Sequence, residues 1–338
     1  MSSAALTAYG ADPSGLVYGY VFTADGVGRQ VDTAAAGAWL AERDARPGEF
    51  IWLHLTGVQA ATMNWLQSHL ELSEDFTDAL KEGSRSTRIE LVHASLIAVI
   101  NDVVYDLSRE NTLQVATLWM NVTPRCLVSV RIQPLRSVDR LRAAVKAGET
   151  FGSPLALVIH LLREQADMLV HIIRSATEKV DGVEDKFLLG RLPERAALGG
   201  IRRDLVRLQR LLAPEPAALF RLLNRPPAWV SAGDTQDLQQ STEEFSVVLR
   251  DMAGLQERIK LLQEEIVAHI GERTNRSVFV LTAVTVIALP INLTAGLFGM
   301  NVGGIPLAED PEGFWRVLLL VLLMTAGAAW YAFRRGPE

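Results

Sequence analysis

Residues 277–301 read SVFVLTAVTVIALPINLTAGLFGMN, and no charged side chain occurs from Ser277 to Met300. At the helical rise of about 1.5 Å per residue this stretch is roughly 36 Å long, enough to cross a hydrocarbon core of about 30 Å. A short acidic loop follows, then a second apolar run from Val317 to Phe333, then Arg334 and Arg335. The second run is nearer 25 Å, on roughly the same rise. It reaches span length if Phe314 and Trp315 sit at the interface and Arg316 extends its head group outward. A buried helix of a soluble protein rarely carries so long an uncharged run. The chain therefore reads as an α+β membrane protein with two C-terminal transmembrane helices.

Charge orients the spans. Arg273 and Arg276 precede the first, Arg334 and Arg335 follow the second, and the loop 301–313 holds Glu309, Asp310 and Glu312 without Lys or Arg. The positive-inside rule then places both termini in the cytoplasm and the loop outside, with one contrary charge at Arg316. The N-terminal MSSAALTAYGADPSG has neither a basic n-region nor an apolar h-region, so no signal peptide is expected there. The expected location is a bacterial inner membrane. In 338 residues the net charge is −6, which argues against a nucleic-acid partner. Cys126 is the only cysteine, so no intrachain disulfide and no thiolate zinc cluster can form.

Upstream, residues 1–150 read as a cytoplasmic α/β domain. Leu16–Phe22, Phe50–Leu55, Arg88–Ile100, Leu113–Val122 and Cys126–Ile132 have strand composition. Val58–Leu70, Ser73–Glu82 and Pro134–Gly148 have helical patterning. No glycine-rich phosphate loop, Gly-x-Ser-x-Gly or Cys-x-x-Cys occurs in this region. Residues 151–233 read as cytoplasmic helices: Pro154–Leu188, Glu194–Leu212 and a short piece at Pro216–Leu223. Residues 234–276 read as a stalk, because Phe245, Val248, Met252, Leu255, Ile259, Leu262 and Ile266 recur at steps of three and four. One helix from about 236 to 300 would be roughly 95 Å long; the alternative is a break near Gly254 or Gly271. The spans are expected over 277–300 and 314–333, with a tail at 334–338.

On a helical wheel Val278, Leu281, Thr285, Leu289, Asn292, Gly296 and Gly299 fall within about 40° of the direction of Thr285. Polar groups in a span face a bundle interior or a wet cavity. The same stripe also suits simple packing on a neighbouring helix, and both readings stand at this point. Two spans cannot enclose a pathway, so a pore would require several copies around an axis.

Pro290 through Asn301, PINLTAGLFGMN, resembles the end of the first transmembrane helix in the CorA-type metal-ion transporter family, whose signature is Gly-Met-Asn. The residues Val302-Gly303-Gly304-Ile305-Pro306 are similar to those of its zinc-transporter branch, ZntB. The resemblance implies a homopentameric funnel that carries Zn2+, with a Mg2+ or Co2+ channel as the alternative within the family. It places Gly299, Met300 and Asn301 at the outer mouth, with Val278, Leu281, Thr285, Leu289 and Asn292 lining the pore. Partners would be divalent ions, the bilayer and further copies of the chain; no cofactor is implied beyond the transported ion. Proton coupling belongs to the same implication, yet no titratable group lies inside the first span. His269 and Glu272 are the nearest candidates and read equally as solvated stalk residues.

Three further readings remain. Glu309, Asp310 and Glu312 would raise cation concentration at an entrance, or simply solvate a translocated loop. His160, Glu164, Asp167 and His171 follow steps of four, three and four, so they share a helix face that could bind a cytoplasmic metal or merely meet solvent. The alternative from another class is a membrane-anchored cytoplasmic enzyme or binding protein.

Overall fold

Every residue of β3 (Phe50–Thr56, FIWLHLT) is buried, which marks it as a strand covered on both faces. The computed structural model describes residues 10–57, 60–83, 85–104, 114–191, 195–300, 303–306 and 310–334. Among them β3 sits inside a seven-stranded sheet of order β2-β1-β3-β7-β6-β5-β4. The other strands are β1 (Leu16–Phe22), β2 (Gly28–Val31), β4 (Arg88–Val92), β5 (Ser95–Val103), β6 (Val115–Val122) and β7 (Cys126–Arg131). Only the β3–β7 pair is parallel, with Ile51 opposite Cys126 and Leu55 opposite Val130; the remaining pairs are antiparallel.

Period-two alternation sends the side chains to two cores. On one face Phe50 and Trp52 join Leu118, Met120 and Leu127 beneath α4 (Arg136–Ala147), α5 (Pro154–Leu188) and α7 (Pro214–Asn224). On the other, Ile51, Leu53, Trp119 and Val128 pack under α1 (Thr33–Ala41), α2 (Ala60–His69) and α3 (Glu74–Lys81). The result is a helix–sheet–helix sandwich. Asp32 caps α1 by accepting from the Ala35 amide at 2.8 Å, and Ser73 caps α3 from Phe76 at 3.4 Å. Ser153 caps α5 by accepting from Ala156 at 2.9 Å, and its hydroxyl donates to Asp234 at 3.1 Å near the start of α8 (Ala232–Phe298).

One polar knot lies inside this unit. The Glu215 carboxylate, fully buried at the start of α7, accepts from the Asn101 amide at 3.0 Å and from Gln165 Nε2 at 3.1 Å. Asp102 accepts from the Ser137 amide at 3.1 Å and the Ser137 hydroxyl at 2.8 Å. Burial pushes Glu215 up to about 8 and Asp102 up to about 6.

Several expected elements change. Arg88–Ile100 is a hairpin, not one strand: β4 and β5 pair with Val92 opposite Ser95. His93 sits in the turn at φ 56°, a left-handed conformation usually signalled by Gly or Asn. The strand β2 and helix α1 had no sequence counterpart in the expectation. The single helix expected from about 236 to 300 is present, and the alternative break near Gly254 or Gly271 does not occur: α8 runs for 67 residues through both glycines and Pro290. The remaining helices are α6 (Arg195–Leu212) and α9 (Gly313–Arg334). By internal contacts the chain divides into Met1–Lys260 and Leu261–Glu338, so the division falls inside α8.

Candidate functional site

α8 and α9 are the two helices, among the described residues, that are long and apolar enough to cross a membrane, and their apolar windows are almost wholly exposed. Val278 is 55% exposed, Leu281 68% and Leu289 63%, so this surface requires lipid or protein around it. Since α8 is continuous, Val278, Leu281, Thr285, Leu289 and Asn292 do share one face.

The hydroxyls on this helix are internally satisfied. Thr285 donates to the Leu281 carbonyl at 2.9 Å, Thr282 to Val278 at 2.8 Å and Thr294 to Pro290 at 2.7 Å. Donating one turn back hides the hydrogen and makes the residue tolerable in an apolar environment. It also leaves only lone pairs on the outward side of each oxygen, so Thr285 presents an acceptor. Asn292 is exposed and lies about two turns, roughly 10 Å, further along the helix. Its carboxamide oxygen supplies a second acceptor on the same face. Neither group carries charge, so the face can bind the water shell of a cation without holding the ion itself.

The helix stops at Phe298, and the Gly299 amide donates to the Ala295 carbonyl at 2.9 Å. A Cβ on Gly299 would stand 2.8 Å from that carbonyl oxygen, so glycine is the residue that fits this end. Met300 is half exposed beyond it. Asn301 and Glu309, two of the sequence-derived candidates, lie outside the described residues.

Arg316 extends its head group toward the loop, the outward direction expected for it. Its guanidinium bonds Asp310 at 2.7 Å and Glu312 at 3.4 Å, while Asp310 also accepts from the Glu312 amide at 3.0 Å. The i,i+4 spacing of Glu312 and Arg316 was the available sequence signal. Two of the three loop acids are therefore partly neutralised, in a folded lead-in to α9.

The proposed cytoplasmic metal set does not assemble. On α5, His160 and His171 are separated by about 16 Å of helical rise, so one face is shared but no point is. His160 Nδ1 meets Glu149 at 3.2 Å, and the Glu164 carboxylate pairs with Arg140 at 3.0 Å. Asp167 and His171 are exposed. Among the described residues no group of three His, Cys, Asp or Glu side chains could hold a metal ion. His269 and Glu272 are both exposed on α8.

Comparison with known proteins gives independent matches along the chain. The family model described as CorA-like Mg2+ transporter protein matches residues 47–335. The chain is 31% identical over 330 residues to the divalent cation transporter CmaX of Pseudomonas aeruginosa, covering 96% of this chain and 97% of that protein. It is 24% identical over 283 residues to the zinc transport protein ZntB of Pectobacterium atrosepticum, covering 84% and 86% of the two. The solved structure of the full-length CmaX protein matches with a TM-score of 0.81 at 29% identity, over 96% of this chain and 98% of that one.

Proposed function

The chain belongs to the CorA-like Mg2+ transporter family, and on that footing we propose that it moves divalent cations across a bilayer through a pore built from several copies. The observation that carries this reading is the uncharged, exposed half of α8. Its stripe of Thr285 and Asn292 acceptors runs toward Gly299 and Met300, while Thr282 and Thr294 lie off that stripe. In a homopentamer each level of the pore would present a ring of identical groups. The Thr285 oxygens and Asn292 amides would hydrogen-bond a hydrated ion, and Asn301 amides would ring the mouth. Val278, Leu281 and Leu289 would form narrower apolar levels between them. Both termini would face the cytoplasm of a bacterial inner membrane, and Arg316 would temper the field of the outer loop.

Zn2+ is the leading cargo. Its support is the likeness of Val302–Pro306 to the zinc branch and the match to a protein named for zinc transport. A second reading, Mg2+ or Co2+, is favoured by a specific feature. No His, Cys or carboxylate occurs from Ser277 to Met300, and those are the groups that distinguish zinc from harder ions at short range.

Flux in proteoliposomes with Zn2+, Cd2+, Co2+ and Mg2+, with and without a pH gradient, tests the reading against Asn301→Ala. Divalent flux that the variant lowers or redistributes among ions is expected. Absence of divalent flux under every gradient overturns the assignment, and Mg2+ flux with Zn2+ excluded selects the second reading. Acceleration by an inward proton gradient would add coupling to the mechanism.

A further inference from the structure

The sheet unit contains a recess of about 310 Å³ that transport does not use. It opens at one end of the sheet, on the face covered by α1, α2 and α3. Trp39, Leu40, Leu70 and Val128 give it apolar walls, and the buried Cys126 adds to them. Burial pushes that thiol up to about 12, so it is a neutral, unreactive wall. The volume is near the lower end of small-molecule sites, which start at roughly 300 Å³.

Two features distinguish this recess from a packing gap. Asn121 lines it at only 2% exposure, and its Nδ2 amide has no hydrogen-bond partner. A buried donor left unpaired weakens a fold, so it is retained where something else accepts from it. Arg43, half-buried in the single 3-10 turn Arg43–Ala45 after α1, also lines the recess, and no acid pairs with it among the described residues. Arg125 adds a second positive charge. It lies over the Trp39 ring at 5.6 Å and donates to the Glu49 carbonyl at 3.2 Å and to the Arg46 carbonyl. Glu71 is the one acid on the lining among the described residues and is exposed.

We propose that this recess binds a small organic anion, a carboxylate on a compact apolar body, with Arg43 and the Asn121 amide as its recognition groups. The apolar body would stack along Trp39 and fill the space between Leu40, Leu70 and Val128. The carboxylate oxygens would accept from the Arg43 guanidinium and from Asn121 Nδ2, completing the unpaired donor. Arg125 would reinforce the positive field without giving up its backbone bonds. Apolar contact supplies much of the affinity in such sites, and a few convergent polar groups fix orientation. The site is independent of which cation is carried.

Isothermal titration of the full chain in lipid nanodiscs with 2-naphthoate tests the assignment, with empty nanodiscs as the blank and the neutral 2-naphthamide as the charge control. One saturable site per chain is expected for the acid. Arg43→Gln and Asn121→Leu should each weaken it by roughly tenfold or more, the loss expected for a charge-assisted hydrogen bond. Arg43 is partly exposed and Asn121→Leu removes an unpaired amide, so both variants should melt at or above the temperature of the wild type. Failure to saturate above the blank would make the recess a water-filled gap. Equal binding of the naphthamide, or an affinity unchanged in either variant, would also overturn the proposal.

Discussion

Thr285 is tolerable in an apolar helix, and in the proposed pore its oxygen would serve a hydrated ion. Its donor is spent on Leu281, and its lone pairs remain. Thr285→Val keeps the shape and removes the oxygen, so divalent flux should fall by about three- to tenfold, the worth of roughly one neutral hydrogen bond. Thr285→Ser should retain most of it; equal flux in the valine variant would remove Thr285 from the pathway. The buried carboxylates make a second residue-scale prediction. Desolvation is the largest influence on Glu215 and Asp102, raising them to about 8 and about 6 against the hydrogen bonds they accept. A folded-state pKa above the unfolded value means that the native state holds the proton more tightly. The stabilisation is full below about pH 4.5 and is lost as pH climbs through 8. The apparent melting temperature should therefore decline from about pH 5 to 8.5, and Glu215→Gln should flatten most of that decline whatever its own offset. A slope unchanged in Glu215→Gln would show that another group titrates. The stripe residues were legible beforehand because helical period alone determines them. The Arg316–Asp310 pair, the knot at Glu215 and the unpaired Asn121 were not, since each depends on what the fold brings near.

At the scale of elements, α8 shows how a periodic seam outweighs local helix breakers. Gly254 and Gly271 each weaken a helix by roughly 1 kcal/mol relative to Ala, yet tertiary and membrane burial of the apolar positions keeps all 67 residues helical. A Cβ at Gly254 would meet nothing within 4 Å. Gly254→Ala should thus stabilise the chain by about 0.5–1 kcal/mol, read as a rise in apparent melting temperature with flux preserved. A fall would mean that this face of α8 is tightly packed by something the single chain does not contain. Gly299 predicts the opposite sign. Its Cβ would strike the Ala295 carbonyl, so Gly299→Ala should unwind the last turn of α8 and reduce flux more than it reduces melting temperature. Long elements with strong signals, such as α5 with its Ser153-Pro154 start, were readable to the residue. The β4–β5 hairpin was not, because a His-Ala turn carries no local glycine signal. Short β2 and alanine-rich α1 lack a clear period of their own and owe their form to the sheet they join.

At the scale of the whole molecule, the apolar windows of α8 and α9 are almost unburied among the described residues. The two long apolar C-terminal helices and an N-terminal unit of strands and helices could be read from composition and patterning, while the mixed pairing of the sheet could not. The number of copies could not, because no residue pattern counts subunits. The chain mass is 37.1 kDa. Native mass spectrometry of the protein released from detergent should therefore give about five times that value if the proposed ring is a pentamer; closed cyclic symmetry implies several copies around an axis but does not fix their number. A dominant monomer or dimer would remove the pore. The unbroken course of α8 has one more consequence, for proteases. Cleavage requires a stretch that can unfold into an extended strand, and no such stretch exists between Ala232 and Phe298. Nicking should begin at the turns around Gly190 or Arg225 to Val230, and the fragment that retains the spans should carry the entire stalk with it.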